Sequence, residues 1–388
     1  MSASNIETIC TVCNHHHLNL PDTITCNRCN AALKPVDGYL VNPVKDLDIH
    51  ASSNSGVWKY RDLYPGFIEN SPVQITLGEQ TTPILELTKW GGKIQLPGLI
   101  TKLESVQPTG SFKDRGAAVM LSWINHYGHN YVIEDSSGNA GASLAAYAAR
   151  ASIKTTIFAP QSTSNAKADQ IRSYGANLVE VKGGRKTAAD AALQQVLSSQ
   201  SHYASHALHP LFVSGMASFL LELHMQLGEM PDHLICPVGN GSLILGSYAA
   251  ANMLINTGRS AQPMPRLHCI QSKACAPIVT AYKSRSTLPA TVNPRDSIAT
   301  GLSVSSPKRG PEVLAAIYGS QGVAISVKED EIMKASSEIS SMEGVYLEPS
   351  ASVAFAGLKH LAKNGVISKN DLTVIVSSGH GLKSFGYR

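Results

Sequence analysis

The sequence predicts an α/β protein with two lobes, each an open parallel sheet covered by helices on both faces, and a small cysteine-rich module in front of them. Short apolar strands alternate with helix-forming stretches along most of the chain, which is typical of parallel sheets buried on both faces. Four of the seven cysteines cluster between positions 10 and 29. With 388 residues, the chain is long enough for two lobes and an accessory module.

The composition indicates an ordinary globular protein. Hydrophobic residues make up 43% and charged residues 15%, and the net charge of +4 is spread along the chain, which argues against a nucleic-acid-binding surface. No apolar run reaches membrane-spanning length, and residues 1–9 lack a basic segment followed by an apolar one. The odd number of cysteines argues against a disulfide framework. We therefore expect a cytoplasmic protein with no nucleic-acid or membrane partner.

Residues 1–36 form the predicted cysteine-rich module. Two Cys-x-x-Cys pairs separated by twelve residues bring four thiolates to one tetrahedral ion, and zinc is the expected occupant. The predicted ligands are Cys10, Cys13, Cys26 and Cys29. Asn14 and Asn30 follow the pairs, where the chain commonly needs a left-handed residue. Four thiolates leave no open position, so the zinc is predicted to be structural. The alternative is a flexible, reduced tail whose run His15-His16-His17 binds stray metal.

Residues 37–75 and 76–388 are the two remaining predicted parts of the chain. Residues 37–75 are polar and interrupted by Gly38 and Pro43, so they are predicted to form a linker or wrapping arm. Trp58 and Tyr64 are expected to anchor that arm. Residues 76–388 form the predicted catalytic body, with a smaller mobile lobe at about 117–213.

The body contains a repeated succession of strand, turn and helix. The predicted strands are Tyr131–Asp135, Lys154–Phe158, Asn177–Val181, Leu234–Pro237 and Thr373–Val376, and the predicted helices are Ala140–Arg150, a segment ending at Tyr174, and Thr187–Ser198. Ligands of such sheets bind at the carboxyl ends of the strands. Each conspicuous polar block of the sequence follows such an end.

The stretch around Lys113 is the predicted reactive centre. An extended run before Pro108 meets a turn at Thr109-Gly110 and then a helix that Ser111 is expected to cap. A lysine in the first helical turn faces the positive end of the helix dipole, which favours the neutral amine that attacks an aldehyde. The alternative is a solvated cluster with the charged residues that follow Lys113.

A glycine-containing turn follows the strand that ends at Pro237. Its residues are Gly239, Asn240, Gly241, Ser242 and Leu243. Glycines at a helix N-terminus let backbone N–H groups surround a phosphate. A tight strand-to-helix turn without a ligand is about as common, so the residues alone leave both readings open.

Six sequence blocks resemble the blocks of a known enzyme family and occur in the same order as in that family. They are Leu77–Pro83, Pro108–Gly116, Ser136–Gly141, Pro237–Ser242, Glu343–Ala351 and Ser378–Lys383. From about Leu77 to the C-terminus the chain resembles threonine synthases and their relatives among the pyridoxal-phosphate enzymes related to the tryptophan synthase β subunit. Similar zinc ribbons precede some of these relatives.

The resemblance implies a set of cofactor and substrate contacts. It implies that Lys113 binds pyridoxal 5'-phosphate covalently, with Phe112 beside it, and that residues 239–243 hold the cofactor phosphate. Asn139 is implied to contact the phenolic oxygen, and Ser378 to face the pyridine nitrogen, where a hydroxyl suits elimination and replacement better than transamination. Ser136, Ser137, Asn139 and Ala140 are implied to bind the substrate carboxylate. The resemblance also implies a homodimer acting on a small amino acid.

The chain departs from the threonine synthase pattern at two expected cations. Where such enzymes show Asn-Pro-x-Arg and Gly-Gln-Lys-Thr, this chain has His209-Pro210-Leu211-Phe212 and Gly215-Met216-Ala217-Ser218, and Gln80 replaces a usual glycine. Lys167, Arg185, Lys186 and His206 are candidate substitutes.

Three functions follow from these observations. The leading one is a lyase like threonine synthase, which converts O-phosphohomoserine to threonine. The second is elimination or replacement at the β-carbon of serine, threonine, phosphoserine or an acylated serine. The remote third is a non-catalytic scaffold with a zinc ribbon, which the joint presence of Lys113, the phosphate loop and Ser378 argues against.

Overall fold

The computed structural model describes residues 6–20, 24–41, 55–67, 72–136, 138–163 and 165–384. The chain divides into two compact units. The first contains Met1–Thr81 and Gln107–Ser218, and the second contains Thr82–Val106 and Phe219–Arg388. Within the described ranges, none of the helices combines the length and the apolar character needed to cross a membrane.

Thirteen strands and eleven α-helices are described. The strands are β1 Ile6–Cys10, β2 His16–Leu20, β3 Leu33–Pro35, β4 Ile84–Glu86, β5 Ile100–Lys102, β6 Tyr131–Glu134, β7 Lys154–Pro160, β8 Asn177–Val181, β9 His202–Tyr203, β10 His233–Pro237, β11 Arg266–Ser272, β12 Ala324–Val327 and β13 Thr373–Val376. The helices are α1 Thr88–Lys93, α2 Lys113–His126, α3 Asn139–Arg150, α4 Asn165–Ser173, α5 Arg185–Ser198, α6 Pro210–Leu227, α7 Ser242–Asn256, α8 Pro277–Lys283, α9 Gly310–Gly319, α10 Glu329–Glu343 and α11 Pro349–Lys363. Short 3-10 helices span Gly56–Leu63, Glu104–Val106, Thr300–Leu302 and Gly381–Ser384.

The first unit contains two sheets. The N-terminal sheet has the order β2-β1-β3 with antiparallel pairs. The second sheet has the order β8-β7-β6-β9, and all of its pairs are parallel. Buried Trp123 of α2 stacks on Phe67 with ring centroids 5.7 Å apart. That contact attaches the segment before residue 68 to the helix that begins at Lys113. Trp58 and Tyr64, which were expected to anchor the arm, are both buried.

The second unit contains a six-stranded sheet. Its order is β12-β11-β10-β13-β5-β4, and every pair is parallel except the antiparallel pair at the β4 edge. A large apolar cluster between this sheet and helices α1, α10 and α11 includes Trp90 and Phe355, whose ring centroids are 5.7 Å apart.

The α/β class with parallel sheets and helices is confirmed, together with the predicted strands of the body. The division into a ribbon at 1–36, an arm at 37–75 and a body at 76–388 stays a prediction.

A buried charged network holds β5 in the second unit. The ammonium of Lys102, whose side chain is fully buried, lies 2.7 Å from a carboxylate oxygen of Glu222. Lys102 also donates to the Thr82 carbonyl at 3.0 Å and to Gln226 at 2.7 Å. Thr82 donates through its hydroxyl to Glu104 at 2.7 Å. Buried charges persist only when they are paired and hydrogen-bonded in this way.

Removing one charge from this network is predicted to destabilise the protein strongly. Lys102→Ala leaves Glu222 buried without its cation, which costs about 3–5 kcal/mol. Lys93→Ala, which breaks an exposed pair with Glu338 at 3.1 Å, is the control and costs at most about 1 kcal/mol. Urea unfolding of both variants measures the difference. Equal losses in the two variants would show that the buried pair has no special role.

Candidate active site

The turn before Lys113 has the predicted shape. Gly110 has φ +82° and donates its N–H to the Gln107 carbonyl at 2.7 Å. This closes a turn with Pro108 in the position that fixes φ in advance. The run before the turn differs from the prediction, because Glu104–Val106 forms a 3-10 helix instead of an extended segment.

Helix α2 begins at Lys113, but Ser111 does not cap it as expected. The carboxylate of Asp114 instead accepts from the Thr109 N–H at 2.7 Å and from the Thr109 hydroxyl at 2.5 Å. The Ser143 hydroxyl of α3 donates to the same carboxylate at 2.6 Å. Asp114 is fully buried, and a carboxylate in the first helical turn also interacts favourably with the helix dipole. The position of Lys113 is therefore fixed by the residue that follows it.

Two aromatic rings flank the amine of Lys113. Its Nζ lies 4.4 Å from the centroid of the Phe112 ring and 5.5 Å from that of Phe212. Phe212 and Met216 are buried on α6 and pack against α2 at Gly116, where an added Cβ would lie 2.7 Å from the ring and 2.8 Å from Met216 Cε. Phe212, at the position of the expected arginine, and Met216, next to Ala217 at the position of the expected lysine, thus form an apolar wall in the first unit.

The loop after β6 carries the predicted carboxylate contacts. Ser136 is buried, Asn139 begins α3, and Ala140 follows it in the first turn. A Cβ at Gly141 would lie 1.8 Å from the Ser136 carbonyl oxygen, so only glycine permits this close approach of helix and loop. The fourth predicted residue, Ser137, lies outside the described residues.

Glu134, at the end of β6, and His206 form a buried pair. Glu134 Oε1 lies 2.7 Å from His206 Nδ1, and Glu134 Oε2 accepts the His206 backbone N–H at 2.9 Å. Burial raises the pKa of Glu134 to about 8 and lowers the pKa of His206 to about 3, and the charge of Lys113 affects both groups. Burial also raises the pKa of Asp135, which accepts a hydrogen bond from Tyr203.

The candidate substitutes for the missing cations differ in their placement. His206 is not a cation near neutral pH, because burial and the charges of Lys113 and Arg185 keep its pKa low. Arg185 begins α5, and its charge contributes to the lowered pKa of His206. Lys167 is buried on α4, whereas Lys186 is exposed.

The glycine turn of the second unit joins β10 to α7 and has the features of a phosphate loop. Gly241 has φ +82°, and an added Cβ would lie 2.3 Å from a methyl carbon of Val313. A Cβ at Gly239 would lie 3.3 Å from the Gly301 carbonyl oxygen. The buried Ser242 hydroxyl has no hydrogen-bond partner within the described ranges. A helix N-terminus with crowded glycines and an orphaned hydroxyl is suited to a phosphate group.

Ser378 follows β13 in the same unit and is buried. The next residue, Gly379, accepts the Glu348 N–H at 3.1 Å. A Cβ at Gly379 would lie 2.3 Å from Glu348 Oε1, so the chain after Ser378 packs closely against the start of α11. Two of the six sequence blocks, which are distant in the chain, meet here.

The four cysteines of the N-terminal module come together. Their sulfur atoms all lie within 4.8 Å of one another. Backbone N–H groups point at two of the sulfurs, as from Val12 to Cys10 and from Arg28 to Cys26, each at 3.4 Å. The predicted left-handed residues are confirmed, with φ of 56° at Asn14 and 60° at Asn30. Four convergent thiolates fit a tetrahedral zinc ion.

Sequence reasoning had missed Glu134 as a site residue and had considered His206 only as a cation. An acidic residue at the end of an apolar strand was the available signal, since a buried carboxylate is rare without a specific partner. Gly301 had also been missed, and nothing in its local sequence distinguishes it from an ordinary turn.

Comparisons with known proteins agree over most of the chain. A family model described as "Pyridoxal-phosphate dependent enzyme" matches residues 75–379. Threonine synthase of Methanocaldococcus jannaschii is 32% identical over 84% of this chain and 80% of its own length. Threonine synthase of Methanosarcina acetivorans is 30% identical over 92% and 87%. Among solved structures, threonine deaminase isoform 2 of Solanum lycopersicum has a TM-score of 0.67 at 22% identity, covering 77% of this chain and 79% of that one. An L-serine ammonia-lyase of Rhizomucor miehei also has a TM-score of 0.67, at 20% identity over 77% and 93%.

Proposed function

Because the chain belongs to the pyridoxal-phosphate-dependent enzyme family, we propose that it is a lyase that acts on a small amino acid by elimination or replacement. The observation that carries this proposal is the fixed position of Lys113 at the start of a helix, between two aromatic rings. The relatives also support the proposal, because this chain is similar over most of its length to proteins named threonine synthase.

The residues of the chain take distinct roles in this proposal. Lys113 would hold the cofactor, and its amine would take the proton from the substrate α-carbon. Backbone N–H groups and the Ser242 hydroxyl bind the cofactor phosphate, in the segment Gly239, Asn240, Gly241, Ser242 and Leu243. Phe112 would lie beside the cofactor, Asn139 would contact its phenolic oxygen, and Ser378 would face its pyridine nitrogen. When bound, the cofactor supplies the withdrawal of electrons from the α-carbon.

The substrate binds through its carboxylate in the first unit. The loop of Ser136, Ser137, Asn139 and Ala140 offers hydroxyl and backbone donors at the N-terminus of α3, which is a suitable place for an anion. Gly141 allows the Ser136 carbonyl to approach the helix closely, which fixes the backbone of Ser136 against α3.

Two reactions are candidates. Conversion of O-phosphohomoserine to threonine is the first, because the named relatives are threonine synthases. Elimination or replacement at the β-carbon of a less charged amino acid is the second, and the apolar wall of Phe212 and Met216 favours it. A phosphate in a desolvated site needs cations, and these two side chains provide none.

We also propose a structural zinc ion in the N-terminal module, held by Cys10, Cys13, Cys26 and Cys29. The ribbon geometry and the donor set support zinc over harder ions. A homodimer and a cytoplasmic location complete the proposal.

One zinc ion per chain is predicted for protein made under reducing conditions with zinc supplied. Cys13→Ser should lose the ion and expose the ribbon to proteases, because folding and metal binding are one event in such modules. His15→Ala and His16→Ala are the controls and should keep the ion. Metal that is lost with the histidines and kept with Cys13→Ser would support the stray-metal alternative instead.

O-phosphohomoserine is predicted to react more slowly than a less charged amino acid. Each missing charge-assisted contact costs about 1.5–3 kcal/mol, or roughly ten- to a hundredfold in affinity. Steady-state rates on O-phosphohomoserine, O-phosphoserine, O-acetylserine, serine and threonine test this, with phosphate, ammonia and oxoacid measured separately and Lys113→Ala as background. Threonine formation from O-phosphohomoserine well above every other rate would contradict it and would support the first candidate.

A further inference from the structure

The carboxylate of Glu134 is held in an unusual way for an acidic residue. It is fully buried at the end of β6, and both of its oxygens bind one residue, the side chain and the backbone N–H of His206. A carboxylate leaves water at a high cost, and proteins retain such groups where they have a specific partner or task. The pair therefore requires a physical explanation.

The pair lies beside the proposed chemistry of the first unit. The Lys113 amine lies 5.5 Å from the centroid of the Phe212 ring, and the centroid of the His206 ring lies 5.8 Å from the same point. Ser136, a proposed carboxylate contact, is only two residues from Glu134. The amine and the ring of His206 therefore lie near the same apolar side chain.

Burial of both groups favours the uncharged form of the pair near neutral pH. Burial raises the pKa of Glu134 to about 8 and lowers that of His206 to about 3, so the carboxyl carries the proton and donates it to Nδ1. The charged groups that act on the pair are Lys113, Arg185 and Asp135, and Asp135 is itself bonded to Tyr203. With Nδ1 accepting, the imidazole holds its other hydrogen at Nε2.

We propose that Glu134 and His206 act together as the proton donor to a hydroxyl leaving group, so that the substrate is a β-hydroxy amino acid such as serine or threonine. This inference rests on the proposed function and specifies its second candidate. The two residues form a relay in which His206 gives its Nε2 proton to the departing oxygen and takes the proton of Glu134 at Nδ1.

The proposed step balances. Lys113 removes the proton of the α-carbon, and the electron pair left behind forms the double bond between the α- and β-carbons. The bond between the β-carbon and oxygen breaks, and the oxygen leaves as water with the proton from His206. The proton held by Lys113 then returns to Glu134 through His206 or solvent, so that the substrate loses one water molecule in total.

The pair explains a preference between leaving groups. Hydroxide leaves poorly unless it is protonated, so a β-hydroxyl substrate needs a positioned acid. A phosphate or acetate leaves as an anion without one, but a phosphate needs fixed positive charge. A neutral pair supplies a proton and no charge, which suits the hydroxyl.

Glu134→Gln tests the relay with little change of shape. The glutamine amide keeps both hydrogen bonds to His206, since its oxygen accepts from the backbone and its nitrogen donates to Nδ1, but it has no acidic proton. For serine and threonine, kcat should fall about 10²- to 10⁴-fold while KM stays within about twofold. For O-acetylserine, whose leaving group needs no proton, kcat should stay within about threefold. Glu180→Gln, which removes an exposed carboxylate paired with Arg172, is the control and should change neither.

A second measurement uses the protein without cofactor. Because the pKa of Glu134 is raised from its ordinary 4.5 to about 8 in the folded state, the unfolded state holds fewer protons than the folded state between these values. Wild-type stability should therefore fall relative to Glu134→Gln as the pH rises from 5 to 8, and the difference should be constant above that. In thermal unfolding, the wild-type midpoint should therefore shift downwards by several degrees relative to that of Glu134→Gln over this pH range.

The results that would overturn the proposal are distinct. An equal loss of kcat on O-acetylserine and on serine would make Glu134 a positioning residue, and a pH-independent gap between the midpoints would show that it is ionised. His206→Asn, which can bond to Glu134 but cannot relay a proton, gives the same kinetic test if Glu134→Gln fails to fold.

Wild-type protein that carries the cofactor on Lys113 and releases only phosphate or acetate would overturn this inference alone. Protein that binds no cofactor would overturn the proposed function.

Discussion

The buried carboxylate of Asp114 is the contact on which the arrangement of the first unit depends. It accepts hydrogen bonds from both donors of Thr109 and from Ser143 of α3. Through these bonds it fixes the turn before Lys113 and joins α2 to α3. Hydrogen bonds to a buried charge are among the stronger ones in proteins. An amine that must meet a substrate in one orientation needs such support, because a flexible lysine on its own loses much of its benefit to entropy.

Close backbone packing organises the second unit in a comparable way. An added Cβ at Gly239 would lie 3.3 Å from the Gly301 carbonyl oxygen, and one at Gly379 would lie 2.3 Å from Oε1 of Glu348. The Ser377 N–H donates to the carbonyl of Lys102, at 3.0 Å. Lys102 therefore binds the buried network through its ammonium and the segment that contains Ser378 through its backbone carbonyl. Stability and the placement of a proposed cofactor contact rest here on the same residues.

Local patterns allowed much of the fold to be predicted from the sequence. The strand Asn177–Val181 has the predicted bounds. Its signal is local, because the apolar residues of the strand and the turn residues around it lie within a few positions of one another. By contrast, β9 has only two residues, too few to give a periodic signal, although it holds His206 next to Glu134. The role of Asp114 was also hidden, because a side chain that bonds back to the preceding turn is not distinguishable in sequence from the expected Ser111 cap. The pair of Glu134 and His206 joins residues 72 positions apart, and no local rule predicts such a contact.

The central claim is that Lys113 is the residue that carries the cofactor. Protein loaded with pyridoxal 5'-phosphate, reduced with borohydride and digested should give a single labelled peptide, with the added mass on Lys113. The buried Lys102 and Lys167 should carry no label. Label on one of those lysines, or label that remains at full level in Lys113→Ala, would contradict the account.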